Sequence, residues 1–148
     1  MLLNSDFRDI LLAFNGAEVE YMVVGAYALA AHGLPRATGD IDLFVRCSIF
    51  NAKKIMQALK AFGAPLAGIS ELDFLKPEIV LQIGVSPRRI DITTTIDGVT
   101  FDQAVKNQKM IEVDGVPFSI IGKNDLLINK KAAGRPKDLG DADWLENN

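Results

Sequence analysis

The spacing of apolar and polar positions divides the chain into helical and strand-like segments. Apolar residues at helical spacing predict helices over 6–14, 26–32, 51–62, 101–107, from 124 to the break at Gly134-Arg135-Pro136, and over 138–145. Short runs rich in apolar and β-branched residues predict strands over 20–24, 40–45, 78–85, 89–95, 110–113 and 116–121. This order indicates an α/β (α+β) fold, in which helices flank a mixed sheet and two helices pair at the C-terminus.

Turn and cap residues set several of the predicted boundaries. Ser5 is the expected N-cap of the first helix, because a serine side chain accepts a hydrogen bond from a free backbone N–H of the first turn. Ser86-Pro87 and Asp114-Gly115 are expected to connect two antiparallel hairpins. The segment 63–77 shows no pattern that predicts a helix or a strand.

Size and composition limit the class of protein. A chain of 148 residues with 49% apolar composition fills one core, so we expect a single domain over 1–148. The formal charge of -3 gives no overall basic field for steering toward nucleic acid. No apolar run reaches the roughly eighteen residues of a membrane span, so we expect a soluble, cytoplasmic protein without a membrane partner. The single Cys47 excludes an internal disulfide and is expected in the core.

Three acidic residues stand inside strand-like segments. Asp40 and Asp42 alternate with apolar residues, and alternate side chains of a strand project from one face, about 6 to 7 Å apart. The first predicted hairpin brings Asp91 back toward this pair. Carboxylate oxygens bind hard cations, so these residues predict a site for Mg²⁺ or Mn²⁺ that leaves positions open for phosphate. With two ions about 3.5 to 4 Å apart, Asp40 and Asp42 would bridge both, and Asp91 would hold the one that activates the acceptor.

A glycine precedes the acids at the junction of a strand and a helix. Gly25 separates the segments 20–24 and 26–32, and a helix that begins directly after a strand presents free backbone N–H groups to an anion. An isolated Asp-x-Asp is also typical of a solvent-facing strand edge or a turn. A glycine turn, a helix, paired acids on a strand and a third acid on a later strand form a far more restrictive order. We therefore interpret the three acids as a metal site facing a docked triphosphate.

The segments Val24-Gly25-Ala26, Gly39 to Leu43 and Arg89 to Ile92 resemble motifs of the nucleotidyltransferase superfamily that includes DNA polymerase beta. Together with Lys130 to Leu139, they also resemble small bacterial nucleotidyltransferase-like proteins related to AbiEii-type toxins. The resemblance covers most of the chain and implies the nucleotidyltransferase fold. It also implies transfer of a nucleoside monophosphate from a nucleoside triphosphate to a hydroxyl. A toxin-antitoxin or phage-defence setting, with a cognate toxin or antitoxin protein as partner, is implied as well.

The resemblance gives roles to individual residues. It implies that Asp40, Asp42 and Asp91 are catalytic and bind the metal, and that Gly25 opens a phosphate-binding turn. Ala26 follows this glycine, where the superfamily usually has serine or a second glycine. The missing hydroxyl removes one phosphate contact, worth about 0.5 to 1.5 kcal/mol for an ordinary hydrogen bond, while the backbone donors remain.

Basic residues near these motifs each have two interpretations. Arg36 and Thr38 precede the acids, and they either contact the same phosphates or belong to a surface loop. Lys130 and Lys131 stand in a C-terminal basic cluster. They either bind the triphosphate, positioned by the acids at 138 and 141, or occupy a solvated helix end.

Three functional classes are compatible with these residues. The first is a metal-dependent nucleotidyltransferase, in which Asp91 orients or deprotonates a hydroxyl of a tRNA, a protein or a small molecule. The second is a catalytically weakened nucleotidyltransferase-like binding module, an antitoxin or regulatory partner, which Ala26 and the small size favour. The third is phosphodiester hydrolysis, which is less compatible with a glycine turn suited to a bound triphosphate.

Overall fold

Helices and strands alternate along residues 3–36, 39–85 and 87–148, the part of the chain that a computed structural model describes. The helices are α1 (Ser5–Gly16), α2 (Gly25–Ala31), α3 (Ile49–Phe62), α4 (Phe101–Val105), α5 (Lys123–Ala133) and α6 (Pro136–Asn147). The strands are β1 (Tyr21–Val24), β2 (Ile41–Val45), β3 (Val80–Ile83), β4 (Ile90–Thr93), β5 (Lys109–Val113) and β6 (Val116–Ile120). No helix within these ranges combines the length and apolarity that a membrane crossing requires.

The strands form one mixed sheet in the order β3-β4-β2-β1-β6-β5. β2 pairs parallel with β4 and antiparallel with β1, while β1 pairs parallel with β6. The two hairpins, β3-β4 and β5-β6, complete the sheet on either side. This arrangement confirms the predicted fold class and places β2 and β4, which carry or adjoin the acids, away from the sheet edges.

The turn between β5 and β6 confirms the predicted Asp-Gly connection. Asp114 and Gly115 have φ values of 51° and 77°, the left-handed conformation that a tight two-residue hairpin requires at both positions. The β3-β4 hairpin is also confirmed, although its Ser86 lies outside the described residues.

The alternating direction of side chains along the strands separates the apolar core from the acids. Ile41 and Leu43 of β2 and Ile90 and Ile92 of β4 are at most 2% exposed. Since successive strand residues point to opposite faces, this packing turns the side chain at 42 away from the core. On the core side lie the apolar residues of α1 and α3, among them Phe7, Phe14, Ile55 and Leu59.

Four local expectations are corrected. The N-cap of α1 is Asn4, whose Oδ1 accepts from the Phe7 N–H at 2.9 Å, because the helix already includes Ser5. The segment 63–77 contains a short 3-10 helix, Glu71–Leu75, fixed by the buried Phe74. Asp40 precedes β2 and does not belong to it. Cys47 is exposed because β2 ends at Val45, and its thiol donates to the Thr94 carbonyl at 3.6 Å.

Candidate active site

The register of the sheet places two of the predicted acids side by side. Asp42 of β2 and Asp91 of β4 are direct partners across the parallel strand pair. On its other side, Asp42 lies opposite Val24, the last residue of β1. The turn at Gly25, which follows Val24 without a spacer, therefore begins beside the Asp42 carboxylate.

Gly25 is required at this turn for two reasons. Its φ is +68°, in the left-handed region that residues with a side chain adopt only under strain. A Cβ atom on Gly25 would lie 2.3 Å from Oδ2 of Asp42, far inside contact distance. Because the side chain is missing, the backbone of the turn approaches the acid directly.

The charged form of Asp42 is disfavoured in this setting. Burial raises the pKa of Asp42, and the charges of Asp91 and Asp40 raise it further. The positive charges of Arg89 and Lys130 act in the opposite direction, and the resulting pKa is about 6. Additional positive charge beside Asp42 would therefore stabilise the carboxylate near neutral pH.

A guanidinium group joins the other two acids. Nε of Arg89 donates to Oδ1 of Asp91 at 2.7 Å, and Nη2 donates to Oδ2 at 3.0 Å. The same Nη2 lies 3.5 Å from Oδ2 of Asp40. The backbone N–H of Arg89 also donates to Oδ1 of Asp40 at 2.8 Å, which ties Asp40 to the start of β4.

An open cleft of about 400 Å³ lies over the two in-register acids. Its lining includes Gly25, Asp42, Gln82, Asp91, Thr93, Asp97, Asn129, Lys130, Arg135 and Asp138. The volume is within the range of small-molecule sites. Acids and bases share its walls, so the cleft is suited to a ligand that carries both a cation and an anionic group.

Lys130 brings a buried positive charge to this cleft. The residue is 8% exposed, and its Nζ lies 3.1 Å from Asp141 and 3.5 Å from Asp138. Arg36 donates to both carboxylate oxygens of Asp141, and Nε of Arg135 donates to Asp138 at 2.6 Å. The hydrogen bond from Arg135 lowers the pKa of Asp138, despite burial. Two charged acids of α6 therefore fix Lys130 at the wall of the cleft.

Several solved structures share this architecture over nearly the whole chain. A candidate nucleotidyltransferase from Thermotoga maritima, TM1012, matches with a TM-score of 0.59 and 15% identity over 95% of this chain and 88% of its own. The lincosamide antibiotic adenylyltransferase LnuA, solved with lincomycin, matches with a TM-score of 0.60 and 14% identity over 98% of this chain and 97% of its own. ANT(2")-Ia, solved with adenylyl-2"-tobramycin, matches with a TM-score of 0.60 and 12% identity over 95% of this chain and 85% of its own. The chain has the nucleotidyltransferase fold. No family model and no curated sequence matches it.

This result confirms the fold that the broader of the two resemblances implied. The narrower resemblance, to AbiEii-type proteins, stays a prediction. At 12 to 15% identity the likeness establishes the path of the backbone. The roles of side chains therefore have to be argued from the contacts of this chain itself.

Within this nucleotidyltransferase fold, some of the predicted nucleotide-binding residues lie together. Gly25 and Lys130 both line the cleft, and Ala26 adjoins Gly25 in the first turn of α2. Lys130 is buried, which does not fit the alternative of a solvated helix end. Both positive and backbone donors thus lie on the same side of the sheet as Asp42.

Other predicted residues lie apart from the cleft or outside the described chain. Arg36 is engaged by Asp141 and is not among the described residues that line the cleft. The ammonium of Lys131 pairs with Glu146 on an exposed part of the C-terminal helices. Thr38 lies outside the described residues.

Residues that were not among the predicted site residues also enter the site. Arg89 directly precedes β4, and its position two residues before Asp91 in the predicted strand 89–95 was the available signal, since such side chains share a face. Arg135 is the N-cap of α6 and pairs with Asp138, which lies three residues further along the chain. Asn129, which donates to the Asp97 carbonyl at 2.9 Å, gave no signal in the sequence.

The three predicted acids have the oxygen ligands that a hard cation requires, although contacts with Arg89 determine their present arrangement. The oxygens of Asp40, Asp42 and Asp91 are ligands of the kind that Mg²⁺ and Mn²⁺ take. In the described ranges, no three His, Cys, Asp or Glu side chains converge closely enough to hold an ion as they stand. The raised pKa of Asp42 and the guanidinium between Asp91 and Asp40 both indicate carboxylates that require positive charge.

Proposed function

We propose that the chain is a metal-dependent nucleotidyltransferase that moves a nucleoside monophosphate from a nucleoside triphosphate to an acceptor hydroxyl. The observation that carries the proposal is the in-register pair Asp42 and Asp91 in an open cleft, with the Gly25 turn against Asp42. Backbone donors for an anion and carboxylates for a cation are the two halves of a site for a metal-bound triphosphate. The nucleotidyltransferase fold supports the same conclusion.

The three acids, the Gly25 turn and Lys130 each have a role in this reaction. Asp40, Asp42 and Asp91 hold Mg²⁺ or Mn²⁺, which when bound supplies charge that polarises the phosphates and acidifies the acceptor hydroxyl. The backbone N–H groups after Gly25 and the ammonium of Lys130 bind the phosphates. Asp91 orients the acceptor hydroxyl and accepts its proton. The acceptor oxygen forms a bond to the α-phosphorus as the bond to pyrophosphate breaks.

The acceptor belongs to one of three classes, a tRNA, a protein or a small molecule. Two of the similar structures are adenylyltransferases of antibiotics or carry an adenylylated antibiotic. These neighbours favour a small molecule with a free hydroxyl as the first acceptor class to assay. A cytoplasmic location and a toxin-antitoxin setting stay predictions.

Release of pyrophosphate tests the transfer reaction. With Mg²⁺ and each nucleoside triphosphate, the wild type is expected to release pyrophosphate on addition of hydroxyl-bearing antibiotics, tRNA or protein acceptors. Asp91→Asn is expected to lower the rate by about 10² to 10⁴, the usual contribution of a general base. Asp9→Asn, which changes an exposed acid of α1, is the matched control and keeps the wild-type rate. Equal rates for wild type and Asp91→Asn would overturn the assignment.

A nucleotide-binding module without transfer activity is the second candidate, and two observations favour it. Ala26 replaces a hydroxyl donor of the phosphate turn, and the Arg89 side chain occupies both oxygens of Asp91. Such a module is expected to bind nucleotide and to release no pyrophosphate with any of the acceptor classes. Its partner would then be a cognate toxin or antitoxin protein.

A further inference from the structure

Arg89 supplies positive charge to the acidic cluster from within the chain. Its guanidinium makes two parallel hydrogen bonds to Asp91, at 2.7 and 3.0 Å, and reaches Asp40 at 3.5 Å. Asp91 is 8% exposed, so few water molecules are close enough to solvate its charge. Without this guanidinium, three neighbouring carboxylates would repel one another across the two strands.

The contact is one that a divalent cation would have to displace. A carboxylate oxygen that accepts from a guanidinium offers the same lone pairs that a metal ion requires. Both oxygens of Asp91 are taken by Arg89 in this way. The position of Asp40, in contrast, also depends on the backbone N–H of Arg89, at 2.8 Å, which no movement of the side chain removes.

We infer that Arg89 is an exchangeable counterion, whose side chain holds Asp91 and Asp40 in the metal-free protein and must leave them when a divalent cation binds. The inference rests on the proposed function and names its regulation at the same site. The apparent metal affinity is then the affinity of the open site multiplied by the fraction of molecules in which Arg89 has left the acids. The backbone contact to Asp40 keeps that acid in place throughout the exchange.

Binding of Mn²⁺ alone, followed by the paramagnetic resonance of the free ion, tests this exchange. Arg89→Gln is expected to bind Mn²⁺ about tenfold more tightly than the wild type, the factor for a site that Arg89 leaves open in about a tenth of molecules. The same variant, without metal, is expected to unfold about 2 to 5 °C lower, because the acids lose their counterion. Arg88→Gln is the matched control, since Arg88 is exposed and adjacent, and both measurements should equal the wild type.

The outcomes separate this inference from the proposed function. Tighter Mn²⁺ binding together with lower metal-free stability in Arg89→Gln supports the exchange. Equal or weaker binding in Arg89→Gln, with binding to the wild type intact, overturns the exchange and leaves the proposed function standing. Absence of binding to the wild type and to both variants overturns both. If Arg89→Gln does not fold, Arg89→Lys replaces it, because a single ammonium cannot make two parallel bonds to Asp91, and tighter binding is again expected.

Discussion

At the scale of single residues, each acid of the site depends on the size or the charge of its neighbours. Asp42 lies against Gly25, where any side chain would collide with its carboxylate, and its pKa of about 6 reflects burial and two neighbouring acids. Arg89 offsets part of this repulsion. Repulsion among the acids therefore lowers the stability of the folded protein, and the same repulsion favours binding of a cation.

The turn before α2 gives a direct test of this close approach. Gly25→Ala is expected to lower the free energy of unfolding by about 2 to 4 kcal/mol, because an alanine is strained at φ +68° and its Cβ meets Oδ2 of Asp42. Gly140→Ala is the matched control, since no atom lies within 4 Å of a Cβ there and alanine favours the helix. Urea unfolding measures both variants, and equal stability of the two would contradict the packing.

The pKa of Asp42 predicts how stability depends on pH. The folded protein binds the Asp42 proton with a pKa of about 6, above the roughly 3.9 of an unfolded chain. The folded state therefore holds more protons between these values, and the contribution of Asp42 to stability falls as pH rises through this window. The neighbouring charges are those of Asp91, Asp40, Arg89 and Lys130.

Asp42→Asn removes this dependence, because asparagine resembles the protonated acid. The variant is expected to equal the wild type near pH 4 and to exceed it by about 2 kcal/mol at pH 7, allowing for partial exposure of the site. Thermal unfolding across this range measures the difference. A difference that shrinks as pH rises would contradict the electrostatic description of Asp42.

Much of the residue-scale site follows from sequence, and the part that does not has a physical reason. The predicted hairpin before Asp91 and the order of the motifs were the grounds for expecting Asp91 near Asp42. The two-residue spacing of Arg89 and Asp91 could have indicated their pairing. The contact of Gly25 with Asp42 depends on the register of β1 against β2, which no local pattern determines.

At the scale of elements, α5 and α6 are joined by ion pairs that also position Lys130. Asp141 accepts from Arg36 and from Lys130, and these bonds lower its pKa although burial alone would raise it. The Gly134 turn lets α6 fold back on α5, and its φ of 70° suits glycine. The ion pairs between α5 and α6 thus hold Lys130 at the wall of the cleft.

Removing the central acid of this contact tests its importance. Asp141→Asn is expected to lower the free energy of unfolding by about 2 to 4 kcal/mol, because Arg36 and Lys130 lose their shared partner in a buried position. Asp143→Asn changes an exposed acid two residues along α6 and is expected to cost less than about 0.5 kcal/mol. Chemical denaturation measures both, and similar losses in the two variants would contradict the role of Asp141.

The sequence predicted the existence and type of these elements better than their ends. Apolar spacing identified α3 and α5, but β3 and β4 are shorter than the apolar runs that predicted them, because sheet pairing stops at Ile83 and Thr93. The 3-10 helix over Glu71–Leu75 was not predicted. It depends on a capping box between Ser70 and Asp73 and on the packing of a single phenylalanine.

At the scale of the whole molecule, the sheet assembles a site from distant parts of the chain. Gly25 and Asp42 meet through the antiparallel pair β1-β2, and Asp91 joins them through the parallel pair β2-β4. Lys130 arrives from α5 across the cleft. The order of motifs along the sequence predicted this assembly, because it matches a fold whose strand order fixes which motifs become neighbours.

The most direct test of the central claim is the shift in thermal unfolding of the wild type on addition of Mg²⁺ with each nucleoside triphosphate. At about one hundred times the dissociation constant, binding adds about 2.7 kcal/mol, which predicts a rise of about 5 to 10 °C for one nucleotide. The rise should need both metal and nucleotide, remain in Asp9→Asn, and vanish when Asp40 and Asp42 are both changed to asparagine. No rise with any nucleotide, or an equal rise in the double variant, would contradict the claim that these carboxylates form a metal-nucleotide site.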